Sequence, residues 1–258
     1  MSNIKNTFWI STAARTGSMW LFNVVKEIFT QKKYNVYPDK IPKENKDFLE
    51  IYSSKSLKDQ NNLNKYVLKV HGAMKTDLLN SKILTTIRDP RDVCASFKEF
   101  MKTDFMSSLT AAKGMIKLIN HYKSFDKNYL KFFKYEDIEK NPIETIISIS
   151  KFIECEIHSA VAKLISEKFN KTNVRNLIKS NDKKLLNKIK NKEKIEKSEI
   201  LYFSKDNYRA FDIQTGFQTN HISFRNSGEW KKVFSQKEIE IINSDPDLKE
   251  FLKEHNYN

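Results

Sequence analysis

Thr7-Phe8-Trp9-Ile10-Ser11-Thr12-Ala13-Ala14-Arg15-Thr16-Gly17-Ser18-Met19-Trp20 is the stretch whose reading decides the fold. Its start, Thr7 to Ser11, is a short apolar run that stops at a polar turn, the pattern of a buried strand. From Ser18 to about Thr30 the apolar residues Trp20, Leu21, Val24, Val25 and Ile28 recur at helical spacing. The turn between them holds small residues, one glycine, the hydroxyls of Thr16 and Ser18, and Arg15. Feeding a helix N-terminus, such a turn gathers N–H groups and the positive end of the helix dipole, which favours an anion. Arg15 adds a bidentate donor. It is not a Walker loop, because the first glycine and the Gly-Lys pair of GxxxxGK[ST] are missing.

The same alternation continues outward. Tyr66 to Val70 reads as a strand ending at His71-Gly72, Lys82 to Arg88 as another ending at Asp89-Pro90, and Leu130 to Lys134 as a fourth. Asp89-Pro90, Asn141-Pro142 and Asp245-Pro246 are helix starts, each with a capping side chain and proline at the first helical position. Ser235-Gln236-Lys237-Glu238 is a capping box. Strands alternating with helices predict an α/β fold: a central parallel sheet flanked by helices in three layers, with ligands at the carboxyl ends of the strands. The Lys/Asn/Glu-rich stretch from about Lys163 to Lys205 reads as surface helices and loop. No repeat or linker interrupts the chain, so residues 1–258 read as one domain.

Composition excludes several classes. The chain of 258 residues is 39% hydrophobic and 12% aromatic, too apolar for a disordered tail, and has only five Gly and five Pro. Two cysteines cannot build a disulfide scaffold and suit a reducing cytoplasm. The start of the chain does not read as a secretory signal, and no apolar run reaches the ~18–20 residues a membrane span needs. A formal charge of +14 suits an anionic partner. Its lysines are dispersed, however, and the heaviest run is poor in aromatics, unlike the interleaved stripes of a nucleic-acid binder. Arginine is scarce: Arg15, Arg88, Arg91, Arg175, Arg209 and Arg225 are all there are.

Two further constellations stand at strand ends. Arg88 closes a strand, Asp89 caps the next helix, and Asp92 and Ser96, four apart, share a face of it; Arg88 and Ser96 are placed to converge on one anion. Lys69 and His71 are two apart in a strand and point the same way, with His71 where a general base would stand. His121, His158, His221 and His255 have no acidic or Cys partners at ligand spacing, so no metal site is expected.

In this order and spacing the motifs resemble the sulfotransferases that use 3′-phosphoadenosine 5′-phosphosulfate (PAPS), over Thr7 to about Glu240. That family has a P-loop-like α/β fold. Its phosphosulfate loop P-K-S-G-T-T-W falls on Ala14 to Trp20, which implies that Arg15, Thr16, Gly17 and Ser18 hold the 5′-phosphate and sulfonate and that Trp20 stacks on adenine. Its 3′-phosphate motif R-x-P-x-D-x-x-x-S matches Arg88, Pro90, Asp92 and Ser96. Its K-T-H motif falls on Lys69-Val70-His71, which makes His71 the catalytic base. Lys69 and Arg15 would then stabilise the transferring group. Its Y-E-D segment places Tyr135 near adenine, and its G-D-W-K falls on Gly228 to Lys231.

Some positions depart from the pattern. Arg15 stands for a lysine, keeping the charge but losing a side chain able to hand over a proton. Met19 replaces a hydroxyl. The family's C-terminal arginine falls on Ser223, so either the loop is rebuilt and Arg225, two residues later, reaches the 3′-phosphate together with Asn226 and Ser227, or that contact is lost; the first is expected, because arginine is scarce. Only the ends of the dimer motif are kept, at Lys231 and Glu240, so a monomer or weak homodimer is expected. The resemblance implies transfer of a sulfonate from PAPS to a hydroxyl or amine of a small molecule, sugar or lipid. It implies no metal, nucleic acid or stable membrane insertion. A PAPS-binding but inactive protein, or a nucleotide or small-molecule kinase on a related fold, is the alternative.

Overall fold

The computed structural model describes residues 6–74, 81–204 and 207–257. Residues 1–5, where the leader reading begins, and Lys205, which ends the Lys-rich stretch, lie outside the described residues. In chain order the elements are β1 (Thr7–Thr12), α1 (Ser18–Gln31), β2 (Asn35–Tyr37), α2 (Asn45–Ser54), β3 (Asn64–His71) and β4 (Lys82–Ile87). Next come α3 (Pro90–Met101), α4 (Phe105–Tyr122), β5 (Leu130–Lys134), α5 (Tyr135–Lys140), α6 (Pro142–Phe152), α7 (Ser159–Lys168) and α8 (Lys171–Lys190). The chain continues with β6 (Ile200–Ser204), β7 (Asn207–Ala210), α9 (Gln236–Ser244) and α10 (Pro246–Glu254).

The predicted parallel sheet is present. Five strands run in the order β2-β3-β1-β4-β5, and the registers of β2 with β3, β1 with β4 and β4 with β5 are parallel. β1 and β4 are buried along their whole length, as strands covered on both faces must be. The order turns back at β1, whose neighbours β3 and β4 are reached in opposite directions. Parallel strands bring their carboxyl ends to one edge, and a crevice opens where the order reverses. Thr12, His71 and Ile87 end the three strands that meet there.

The chain gathers into two compact units. The first comprises the chain up to Ser18, Lys69–Thr145 and everything from Ser223 onward. Its core packs Val93 of α3, Ala112 and Met115 of α4, Trp230, Ile242 of α9 and Leu248 of α10 with Ile87 of β4. The helices begin where local chemistry says they should. Asp89 accepts the Arg91 N–H at 2.8 Å ahead of Pro90, and Asp245 accepts the Leu248 N–H at 3.2 Å ahead of Pro246. Ser235 and Glu238 form the expected capping box of α9.

The second unit comprises Met19–Leu68 and Ile146–Ile222. Asn23, buried on α1, donates to the carbonyls of Met19 at 2.7 Å and Thr215 at 2.8 Å, tying the helix to a distant loop of the same unit. Leu185 of α8 packs with Ile200 and Ala210 of the antiparallel β6–β7 pair. The Lys-rich stretch therefore ends in a strand where only helix and loop are expected. β6 and β7 are short, and β6 carries a bulge between Tyr202 and Ser204, so no clean alternation marks them. Asn170 caps α8 by accepting the Asn173 N–H at 2.8 Å.

Candidate active site

The turn between β1 and α1 takes a left-handed course, with φ of +67° at Arg15 and +94° at Gly17. Gly17 is required twice over. Its conformation strains any other residue, and a Cβ there would lie 2.9 Å from Cδ2 of Tyr135. Thr16 is fully buried, and its hydroxyl donates to the Ala13 carbonyl at 2.8 Å and meets Thr86 of β4 at 2.6 Å. The hydroxyl expected at the phosphosulfate thus braces the turn. Ser18 is buried as the first residue of α1. Trp20, one turn into α1, is half-buried and belongs to the second unit.

The turn and α3 hold each other. Arg15 Nε donates to Ser96 Oγ at 3.0 Å, and its guanidinium lies 4.1 Å from the centre of the Phe100 ring. Ser96 and Phe100 are four apart and face the same way, so the spacing that joined Asp92 to Ser96 also marks Phe100. Arg88 Nη1 donates to the Arg15 carbonyl at 2.8 Å. Its guanidinium stacks 4.0 Å from the Tyr135 ring centre, and its buried Nε has no hydrogen-bond partner among the described residues. Burial raises the Tyr135 phenol to about 12, against the opposing pull of Arg88. Arg15, Ser96, Arg88, Tyr135 and Gly17, named from separate motifs, thus come together around one turn.

The loop after Ser223 is fastened from below by one carboxylate. Asp92 accepts Arg225 Nη1 at 2.7 Å on one oxygen and the Gly228 N–H at 2.6 Å on the other. The pair is buried, with side chains 6% and 1% exposed for Arg225 and Asp92. Arg225 Nη2 also reaches Glu99 at 3.4 Å, and Ser223, at the family's arginine position, donates to the same carboxylate at 3.3 Å. Most of the Arg225 guanidinium is therefore held by acidic side chains, leaving its buried Nε without a partner among the described residues. Ser227 donates to Glu139 at 2.6 Å, one helical turn beyond Tyr135 on α5, and the Asn226 N–H donates to Glu229 at 2.9 Å. No sequence motif signalled Glu139, because its partner lies 88 residues away.

Lys69 and His71 share a face at the end of β3, as their spacing requires. Lys69 Nζ lies 3.1 Å from His71 Nε2, and His71 Nδ1 lies 3.2 Å from the Thr12 carbonyl. A carbonyl only accepts, so the ring proton sits on Nδ1 and the Nε2 lone pair faces Lys69. Lys69 is buried, and loss of water lowers its ammonium to about 8. His71 exposes much of its surface at the strand end. Crowding that withdraws water, then the charges of Lys69 and Arg15, still hold it below the ordinary histidine range, against the bond to Thr12. At neutral pH the pair is a neutral imidazole beside an ammonium ion. Among the described residues, no three His, Cys, Asp or Glu side chains gather to hold a metal ion, and no helix is long and apolar enough to cross a membrane.

A family model described as a sulfotransferase domain matches residues 5–245. Among solved structures, mouse sulfotransferase SULT7A1 complexed with PAP aligns at TM-score 0.61 and 14% identity, covering 99% of this chain and 89% of that one. Retinol dehydratase in complex with retinol and PAP aligns at TM-score 0.60 and 17% identity, covering 96% of this chain and 81% of that one. The same enzyme with androsterone and the inactive cofactor PAP aligns at TM-score 0.58 and 16% identity, with the same coverage. At such identities the likeness is one of fold. No curated protein sequence matches the chain.

The Asp92–Arg225 pair yields a stability test. Asp92→Ala strands a buried guanidinium and frees the Gly228 N–H, so equilibrium denaturation should show a loss of about 3 kcal/mol. Unchanged stability would mean that the pair does not fasten the loop.

Proposed function

The chain belongs to the sulfotransferase domain family, and from that premise we propose that it moves a sulfonate group from PAPS to a hydroxyl or amine of a small-molecule, sugar or lipid acceptor, acting as one domain. The observation that carries this reading is the joining of Arg15, Ser96 and Arg88 around the left-handed turn. Arg88 donates to the Arg15 carbonyl, and the Arg15 side chain reaches Ser96 of the other motif, so residues of two motifs meet where an anion would draw on both cations. PAPS supplies the sulfonate and a phosphate leaving group that is already charged.

The residues divide the work. Gly17 and Ser18 bring the backbone and the start of α1 to the 5′ side, where N–H groups and the helix dipole favour the phosphosulfate. Thr16 serves through its backbone, since its hydroxyl is engaged. Arg88, with its buried Nε, and Ser96 bind the 3′-phosphate. Arg225 contributes through its Nε, and Asn226 and Ser227 complete the loop around it. Tyr135 holds the adenine. Lys69 and Arg15 place positive charge where the transferring sulfonate and departing phosphate gather negative charge. His71 takes the acceptor's proton on Nε2, unprotonated at neutral pH, once Lys69 turns from that lone pair to the sulfonate. Among the acceptors, small hydroxylated molecules are the first to try, because retinol and androsterone are bound by structural neighbours.

His71→Ala should lower turnover at least ~100-fold, the usual contribution of a general base. The charge states set the sign of the wild-type pH dependence. His71 must be neutral and its pKa lies below the ordinary value, so kcat/KM should not fall until the pH drops below ~6.5. Lys69 loses its charge as pH rises through about 8, so a basic limb should appear there. Near-wild-type turnover in His71→Ala would remove the base assignment. Arg88→Ala should weaken PAP binding by about 10- to 100-fold, as expected for a lost charge-assisted contact, with a smaller effect on kcat; unchanged affinity in a titration would sink the 3′-phosphate assignment. Transfer from radiolabelled PAPS into mixed extracts, read as labelled product, tests the activity itself. PAP binding without any labelled product would mark an inactive binder.

A further inference from the structure

β3 ends at His71 and the chain leaves it through Gly72, whose φ of +131° only glycine adopts freely. Two buried hydroxyls hold this exit. Ser11 Oγ donates to the Gly72 carbonyl at 2.6 Å. That uses its one proton, so at the 2.6 Å contact between the two hydroxyls Tyr122 is the donor. The Tyr122 oxygen in turn accepts the Met74 N–H at 2.7 Å. The result is a directed chain from Met74 through Tyr122 and Ser11 to Gly72. Ser11 and Tyr122 are both fully buried. Hydroxyls out of water are stable only when bonded, and here the bonds go to both sides of one turn. The neighbouring residue of β1, Thr12, meanwhile fixes the His71 ring through its carbonyl. Consecutive β1 residues thus hold the backbone and the imidazole at the end of β3.

We propose that Tyr122 is a positioning residue for the transfer reaction: through Ser11, its hydroxyl fixes the Gly72 turn and so the aim of His71 Nε2. This rests on the reading of His71 as the base. Tyr122 ends α4, 48 residues from Met74 and 111 from Ser11, and it belongs to no motif of the site. Its ring also packs on Phe125 with centroids 5.0 Å apart, a contact that phenylalanine would keep.

A double-mutant cycle tests the proposal. Tyr122→Phe, His71→Ala and the double variant are assayed with PAPS and an acceptor identified by label transfer, and thermal melting confirms that each is folded. Tyr122→Phe should lower kcat about tenfold, the effect of one lost hydrogen bond, with the KM for PAPS unchanged. In the His71→Ala background it should cost nothing further, because residues acting as one unit are not additive. Ser11→Ala should behave as Tyr122→Phe does, and it carries the test alone should the latter fail to fold. An unchanged kcat in Tyr122→Phe beside a crippled His71→Ala would overturn the positioning role alone. So would an equal loss in both backgrounds. Near-normal turnover in His71→Ala would instead remove the base reading, and the role of Tyr122 would fall with it.

Discussion

The left-handed turn from Arg15 to Gly17 is the constraint on which the site depends. A residue other than glycine held at positive φ costs about 1–2 kcal/mol, and Arg15 bears that cost at φ +67°. The geometry turns its carbonyl toward Arg88 and its side chain toward Ser96 and Phe100. Gly17 then lets the chain pass against Tyr135, where a Cβ would not fit. A relaxed turn would separate the arginines and break the link between β1, β4 and α3.

Around this turn the protein balances charges singly. Asp92 neutralises Arg225 and holds the Gly228 N–H, so an acid buried in a cationic site works as a fastening. Asp89, one residue after Arg88, does the same for Arg91 at 2.7 Å. The Arg15 guanidinium lies over the Phe100 ring and the Arg88 guanidinium over the Tyr135 ring. Aromatic faces support a guanidinium without cancelling its charge, which suits the anion-binding role proposed for both. The formal charge of +14 is a poor guide to this arrangement.

What the sequence made legible follows from the range of the forces involved. β1, β3, β4 and β5 stand out as apolar runs closed by polar or glycine turns, and α3, α9 and α10 announce themselves through caps within four residues of their starts. β2 and β7 escape because strands of three and four residues are settled by the strand alongside rather than by their own residues, and β6 because a bulge interrupts its pairing. At the site, Arg15, Arg88, Lys69 and His71 are legible as rare or polar residues at strand ends. Their partners are less so. The pairing of Arg225 with Asp92 spans 133 residues, so an arginine assigned by motif to a phosphate is found mostly engaged by acids. Thr16 shows the same limit, since its hydroxyl meets Thr86 across 70 residues.

In the proposed reading two arginine-bearing positions, one at the β1–α1 turn and one at the β4–α3 junction, recognise the two phosphates of a single nucleotide. Calorimetric titration of the unaltered protein with PAP and with adenosine 5′-monophosphate tests it most directly, since the ligands differ only in the 3′-phosphate. PAP should bind at least about tenfold more tightly, the yield of one charge-assisted contact. Equal affinities, or no binding of PAP, would rule this recognition out.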